Sequence, residues 1–535
     1  MNQTDEVASL TSLWQYHQRS KHHMQRYAAG PDSIDWDQQP DPFRRFDGCE
    51  LIRLPLLADA EVFPWAAMWL PHCFEARSLS LASLALLLEQ SLALSAWKQY
   101  GSSRWSLRCN PSSGNLHPTE TTLLLAGIDG LADGVYHYRP DLHALELRAR
   151  LGQPFPYRGI WLGFSSLIWR EAWKYGERAW RYCQHDVGHA RAAVAFAAHT
   201  LGWPLAPVRL DDTSLERLLG LAAIVAPAEP ECADCLLALG PDSVAVDSAT
   251  LVQAWLTALA DVEWQGRASV VDVRHLYQWP VLDDAVQLAR IADTTSPQVA
   301  DELSEWPTPL VSHSDHTAAR LIRQRRSAQA FDRQTLMPQA DFFTLLDHSL
   351  PRPTLAPWNS LAHNGAVHLL LFVHRVEGLP SGLYALPRNG AVLADLQQTL
   401  REEFRWQRVE QAPAHLPLYC LLEAKAERTA ARLSCQQAIA ADSCFSLAML
   451  ADLQPMAEQP WWYRECLQEA GAIGQQLYLD AEACGFRGTG IGCFYDDAVH
   501  ELLGLTDERW QSLYHFTVGA ALHDPRIVSW PPYRR

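Results

Sequence analysis

The sequence predicts an α+β chain made of two like halves, and three observations predict it. Short words recur in the same order in both halves. Each half runs helix, helix, strand, hairpin-like strand, long helices, strand, with strands too few and too separated for a doubly wound βαβ series. The 535 residues also exceed what one hydrophobic core usually supports, which favours two domains of about 200–250 residues and a linker.

The recurring words come in five pairs. Leu87-Leu-Glu-Gln-Ser-Leu92, on a helix, matches Leu345-Leu-Asp-His-Ser-Leu350. Gly130-Leu-Ala-Asp-Gly-Val-Tyr136 matches Gly378-Leu-Pro-Ser-Gly-Leu-Tyr384, each shortly after an apolar, strand-like run. Gly188 to Trp203 parallels Gly471 to Phe486, both reading as amphipathic helices closed by Gly202 and Gly485. Leu218-Leu-Gly-Leu221 parallels Leu502-Leu-Gly-Leu505, and the strand ends Leu239-Gly240 and Val518-Gly519 follow. Chance recurrence of apolar words explains one or two such pairs, not five in register. The expected boundaries are a first domain over 1–262, a linker over 263–317 and a second domain over 318–535. Within the linker, Asp293 to Thr317 is rich in Ser, Thr, Pro, Asp and His, and before it Val244 to Ala260 reads as a terminal helix.

Composition narrows the function classes. A formal charge of −17 argues against sequence-independent binding to nucleic acid or anionic membrane, which need basic surfaces. The N-terminus, Met1-Asn-Gln-Thr-Asp-Glu-Val7, shows no signal-peptide pattern, and no run of about 18 apolar residues occurs, so the expectation is a soluble, cytoplasmic chain. The 12 cysteines are scattered, with Cys232-Ala-Asp-Cys235 the only C-x-x-C; reduced thiols are expected, and no metal site.

The motifs carry a family resemblance. Arg325-Arg-Ser-Ala-Gln-Ala-Phe331 resembles the R-R-S-x-R-x-F signature of the flavin-dependent nitroreductase fold. Pro111-Ser-Ser-Gly-Asn-Leu-His-Pro118 resembles the P-S-x-G-x-L-x-P loop of its SagB/ThcOx-type branch, the peptide azoline dehydrogenases. Trp173-Lys-Tyr-Gly-Glu-Arg-Ala-Trp-Arg-Tyr182, then Asp186-Val-Gly-His189, and the N-terminal Tyr16 to His22 resemble the same branch. The resemblance implies two tandem nitroreductase-like domains forming an intramolecular pseudo-dimer, with FMN between them. It also implies that an Arg-Ser segment and a late Gly-rich loop come from one domain and the Pro-Ser loop from the other.

Each piece has a physical purpose. A flavin phosphate is a dianion, and guanidinium groups bind it through charge-assisted hydrogen bonds, a role for Arg325 and Arg326 at a helix start. Ser327 adds a hydroxyl. Gln329 stands where the family has a basic residue. In Gly488-Thr489-Gly490-Ile491-Gly492, three glycines allow close backbone approach to a ring. Arg526 resembles a C-terminal basic residue that completes the phosphate site. Pro111, Ser112, Ser113 and Asn115 supply the reach across from the other domain.

The losses are complementary. Where the first half should carry the arginine pair it has Ala67, Met68 and Trp69, and in place of the Gly-rich run it has Pro204-Leu-Ala-Pro-Val208. The second half replaces the Pro-Ser loop by Pro357 to Gly365. One FMN per chain is therefore expected. Arg170, Lys174 and Arg178 at i, i+4, i+8, with Arg181 beyond, form a basic stripe; neighbouring cations would disfavour protonated Lys174 and ready it as a base. A solvated face compensated by Glu171 and Glu177 is the plainer alternative. The resemblance implicates the pair Lys174 and Tyr175 in azoline oxidation, with hydride passing to flavin N5.

The leading expectation is an FMN-dependent oxidoreductase that dehydrogenates a peptide or amino-acid-derived heterocycle, working with peptide-modifying partner proteins. An NAD(P)H-dependent nitroreductase or quinone-type reductase of small molecules is the first alternative, with no G-x-G-x-x-G for a separate nicotinamide domain. A non-catalytic flavin-binding accessory subunit is the second.

Overall fold

The computed structural model describes residues 9–70, 75–293 and 304–533. Met1 to Val7 and part of the expected Asp293–Thr317 linker lie outside the described residues. Two seven-stranded sheets dominate. The first has the order Glu50–Arg53, Ala144–Arg150, Gly134–Arg139, Thr119–Ala126, Gly159–Ser166, Cys232–Leu239, Leu205–Pro207. The second has Gln407–Arg408, Tyr419–Glu423, Gly382–Leu386, Val367–Val373, Phe445–Asp452, Trp510–Gly519, Arg487–Ile491. From the second position to the seventh the chain visits both sheets in the same sequence, while the first-position strand is the earliest in one sheet, Glu50–Arg53, and follows the hairpin in the other, Gln407–Arg408. Pairing is antiparallel throughout. The α+β class follows, with helices packed on the sheets rather than alternating with parallel strands.

Two pairs of the recurring words lie at matching places in the two sheets. Leu123 pairs with Tyr136 and Leu371 with Tyr384 at equivalent places in the two hairpins. Each tyrosine hydroxyl then donates to the carbonyl four residues back, Tyr136 to Ala132 and Tyr384 to Pro380, both at 2.7 Å. The helices Asp212–Leu219 and Asp496–Leu503 both stop at a left-handed glycine, Gly220 and Gly504.

Between the sheets lie two long helices, Ala179–Thr200 and Trp462–Ala483. The sequence predicts amphipathic helices beginning near Gly188 and Gly471; the structure begins both about nine residues earlier and buries them nearly all round. Burial on every side follows from their position, each facing its own sheet and the other helix. They cross where Gly188 meets Gly471. A Cβ on Gly188 would stand 2.0 Å from the Gln468 carbonyl oxygen, and one on Gly471 2.1 Å from that of His185. Only glycine permits this approach.

The expected boundaries at 263 and 317 do not mark mechanical edges. Arg267–Ala268 pairs with Phe46–Asp47, and helix Pro280–Leu288 buries Val281, Leu282 and Ala285. The helix Ala318–Gln324, the first of the expected second domain, packs Ala318, Ala319, Leu321 and Ile322 into the core of the first half. Near the other end, Val528–Trp530 adds an edge strand to Leu94–Tyr100. The first half thus buries the apolar face of Ala318–Gln324 and pairs the backbone of Val528–Trp530, whose side chains stay exposed. The expected helix Val244 to Ala260 is two pieces, Pro241–Val244 and Ser248–Ala258. No described helix is long and apolar enough to cross a membrane.

Candidate active site

The Pro-Ser loop follows strand Ser103–Arg108 and turns tightly at Gly114, with Asn115 and His117 also at positive φ. Asp186, on the N-half long helix, fixes it: the Ser113 amide donates to both carboxylate oxygens at 3.0 and 3.1 Å, and Ser113 Oγ at 2.9 Å. Burial pushes the Asp186 carboxyl up to about 7, against the lowering effect of the serine hydrogen bonds. The Ser112 hydroxyl accepts from the His117 amide at 2.8 Å, and Asn115 Nδ2 donates to the Ser106 carbonyl.

From the other half, Arg325 and Arg326 follow the short helix Ala318–Gln324. Arg325 is 3% exposed; its Nε and Nη2 donate to the carbonyls of Cys109 and Arg108 at 3.2 Å, while Nη1 has no partner. Its guanidinium stands 5.0 Å over the Tyr478 ring. Arg326 donates to the carbonyls of Arg323, Arg325 and Ser95. Burial lowers both guanidinium groups, Arg326 to about 10, which leaves them charged near neutral pH. A buried cation with a free donor is costly unless an anion meets it.

These two segments wall a cavity of about 320 Å³ whose lining includes Lys98, Asn110, Pro111, Ser112, Asn115, Arg325, Arg326, Ser327, Gln329 and Arg487. Its basic end stands out in a chain of net charge −17. A second cavity of about 260 Å³ shares Pro111, Ser112 and Ser327 as a common wall. Its remaining lining includes Ser113, Gly114, Tyr175, Tyr182, Asp186, His189, Tyr478, Gly490, Ile491 and Gly492. One end is therefore cationic, and the other is aromatic with exposed backbone. Each cavity is near or within the range of about 300–1,000 Å³ that small-molecule sites occupy.

The Gly-rich run is the edge strand Arg487–Ile491, not a loop. Gly490 and Gly492 line the cavity, and their Cα positions also back onto Tyr514 and Tyr182, where a Cβ would collide with either ring. Tyr478 ties the pieces together: its hydroxyl meets Ser327 Oγ and accepts from the Gly490 amide, both at 2.9 Å. Arg178 holds the Gly492 carbonyl through Nε and Nη2. Thr489 is turned away, its hydroxyl donating to the Ala328 carbonyl. Arg526 lies outside both cavities, with its side chain 70% exposed and paired to Asp524, because a carboxylate two residues away satisfies it.

The basic stripe is neither a solvated face nor a cation cluster around Lys174. The helix Ile168–Tyr175 breaks at Gly176, so the residues do not share one face. Arg170 pairs with Glu120, and Arg178 and Arg181 both pair with Asp496, whose carboxyl they hold well below the usual range. Glu177 pairs with Arg19, and Glu171 is buried without a partner, its carboxyl raised by burial. The Lys174 amine is lowered by its own burial, with Glu171 opposing. Tyr175 lines the second cavity and its hydroxyl is raised well above the ordinary value by burial. Lys174 does not line it; its Nζ stands 3.1 Å from where a Cβ on Gly114 would be, 5.0 Å from the Tyr175 ring and 5.1 Å from that of Trp36.

The pseudo-symmetric position is filled. Taking Gly188 and Gly471 as equivalent puts Glu465 at the place of Tyr182 and Trp461 at that of Arg178. Around them Pro207, Val208, His363 and Arg191 leave about 90 Å³. Trp69, close to where an arginine pair would fall, is buried and stacks on His348 at 3.8 Å.

Comparison with known proteins agrees with this architecture. Residues 322–520 match the model of the nitroreductase family. That match lies within the second half of the chain. Among solved structures, a putative nitroreductase from Anabaena variabilis is 18% identical with TM-score 0.67, covering 95% of this chain and 99% of that one. This likeness spans both halves and establishes the nitroreductase fold. The Escherichia coli microcin synthetase complex is 15% identical over 43% of this chain and 80% of that one, with TM-score 0.28. The NADPH:FMN oxidoreductase of Vibrio harveyi is 15% identical over 38% and 69%, with TM-score 0.24. No curated protein matches the chain.

Sequence reasoning missed Tyr478, Arg487 and Lys98 as site residues. Tyr478 lies within a helix whose visible signal was its repeat, and Lys98 lies on a strand outside every motif. Asp186 stands in the motif Asp186-Val-Gly-His189, but its grip on Ser113 is not readable from the sequence.

Proposed function

We propose that the chain is an FMN-dependent oxidoreductase with one flavin site, built between its halves, that dehydrogenates a peptide or amino-acid-derived azoline to the azole. One observation carries the reading: the Pro-Ser loop of one half and the Arg-Arg-Ser and Gly-rich segments of the other wall adjoining cavities, cationic at one end and aromatic at the other. The unpartnered Nη1 of buried Arg325 fits an anion of the phosphate class.

Arg325, Arg326 and Lys98 would hold the phosphate, and Asn115, Ser327 and Gln329 the polyol chain. Gly490 to Gly492, facing the Pro-Ser loop, would sandwich the ring. FMN, when bound, supplies a two-electron acceptor. Everything else falls to side chains. Tyr175, its hydroxyl kept protonated by burial, donates a hydrogen bond to a substrate lying in the second cavity. Lys174, whose amine loses its proton more readily because it is buried, stands beside Tyr175 and would receive the substrate Cα proton by way of the Tyr175 hydroxyl. Asp186 acts through Ser113 as a positioning residue, and Arg178 likewise through the Gly492 carbonyl.

The test is anaerobic mixing of the FMN-loaded chain with a thiazoline- or oxazoline-bearing peptide, watching flavin absorbance. Bleaching by the azoline and not by NADPH supports the reading. Bleaching by NADPH alone makes the protein a nicotinamide-dependent reductase, and no bleaching by either removes the catalytic role.

A further inference from the structure

The wall of the second cavity holds a feature that the flavin reading does not use. Immediately after Gly492, Cys493 lines the cavity. Its side chain neighbours that of Cys435, a residue 58 positions earlier; Gln437, two residues after Cys435, holds the Cys493 carbonyl. Both are free thiols of intermediate exposure. Several other cysteines, Cys109, Cys183, Cys444 and Cys466 among them, are buried.

The segment that presents Cys435 is unusual. Cys435 and Gln436 are consecutive non-glycine residues at positive φ, 52° and 62°. Such conformations cost roughly 1–3 kcal/mol each and persist where the surroundings hold them. Here the next residue does the holding. Gln437, itself in the cavity wall, donates from Nε2 to the Cys493 carbonyl at 3.1 Å and to the Ser434 carbonyl at 2.9 Å. The interaction between the two thiols lowers the Cys493 thiol and raises that of Cys435, and the Arg178 guanidinium, which grips the Gly492 carbonyl, adds a smaller pull toward the thiolate at each. On the outer side the Tyr27 hydroxyl contacts Cys435 and lies 3.1 Å from that of Tyr495.

Two neighbouring thiols, one on the cavity wall and the other on a segment tied to it by Gln437, are arranged for thiol–disulfide chemistry rather than for packing. We propose that Cys435 and Cys493 form a redox-active dithiol that exchanges two electrons with the flavin bound in the adjoining cavity. This rests on the FMN reading above. Oxidation of the pair breaks two S–H bonds and forms one S–S bond, releasing two electrons and two protons. The oxidised isoalloxazine takes up both electrons and both protons to become the dihydroflavin, so atoms and charge balance without a further reagent.

The experiment uses the full FMN-loaded chain, oxidised in air, then titrated anaerobically with dithionite. The wild type is expected to take four electrons per bound flavin, and Cys435→Ser and Cys493→Ser two. In parallel, alkylation of the unreduced wild type followed by peptide mass spectrometry should find Cys435 and Cys493 joined and unmodified by the reagent, with alkylation appearing after reduction. This second readout needs no variant to fold. Uptake of two electrons by the wild type, with both cysteines alkylated before reduction, overturns the proposal. Failure to retain FMN, visible from flavin absorbance before any thiol is counted, overturns the functional reading on which it rests.

Discussion

The phenolic oxygen of Tyr175 lies 2.6 Å from the point where a Cβ on Gly114 would stand. The turn of the Pro-Ser loop and the aromatic wall of the cavity are therefore set by one contact, and Gly114 is also held at φ 58°. Gly114→Ala should cost roughly 1–2 kcal/mol for the left-handed backbone. It should also push Tyr175 out of line, lowering turnover about 100-fold with flavin still bound. Steady-state kinetics beside a thermal melt separates the two effects.

Arg325 places a partnerless Nη1 at the cationic end of the site. Arg325→Lys keeps the charge and loses the fork, removing one or more charge-assisted hydrogen bonds worth about 1.5–3 kcal/mol each. FMN binding, followed by fluorescence quenching, should weaken roughly 10- to 100-fold. Arg526→Ala should leave it unchanged, since that guanidinium is engaged by Asp524 outside the cavities.

The crossing of Gly188 and Gly471 joins the halves across the centre of the molecule. Gly471→Ala drives a methyl group into the His185 carbonyl, and the helices must separate. The expected loss is about 1–3 kcal/mol, typical of overpacking, read as a lower urea midpoint.

Burial raises the Asp186 carboxyl in the folded chain to about 7 from an ordinary 3.8. Between those values the folded state keeps a proton that the unfolded chain releases. Its contribution to stability is complete below about pH 4 and is lost as pH rises towards 7, at no more than about 1.4 kcal/mol per pH unit. Urea titrations of wild type and Asp186→Asn from pH 4 to 8 should differ by that slope, and parallel curves would contradict it.

Much of this arrangement was legible in the residues because repetition and chemistry left marks at fixed positions. The words ending in Tyr136 and Tyr384 mark equivalent hairpins, since each tyrosine makes the same hydrogen bond. Arg325, Ser112 and Gly490 stood in motifs whose chemistry names a ligand. What stayed hidden depends on pairing over long separations. The partners of Arg170, Arg178 and Arg181 are carboxylates 50 residues or more away, so a stripe of charge on paper becomes a set of buried ion pairs. Arg526 is taken up by Asp524, a local pair that a motif resemblance does not register. The exchange of Ala318–Gln324 and Val528–Trp530 onto the first half was invisible for the same reason.

One composite site per chain is the central claim, and flavin stoichiometry tests it most directly. The chain should be saturated with FMN, freed of excess, denatured, and its released flavin counted against protein. The account requires one FMN per chain, because Trp461, Glu465 and His363 occupy the pseudo-symmetric position. A ratio near two, or no retained flavin, would contradict it.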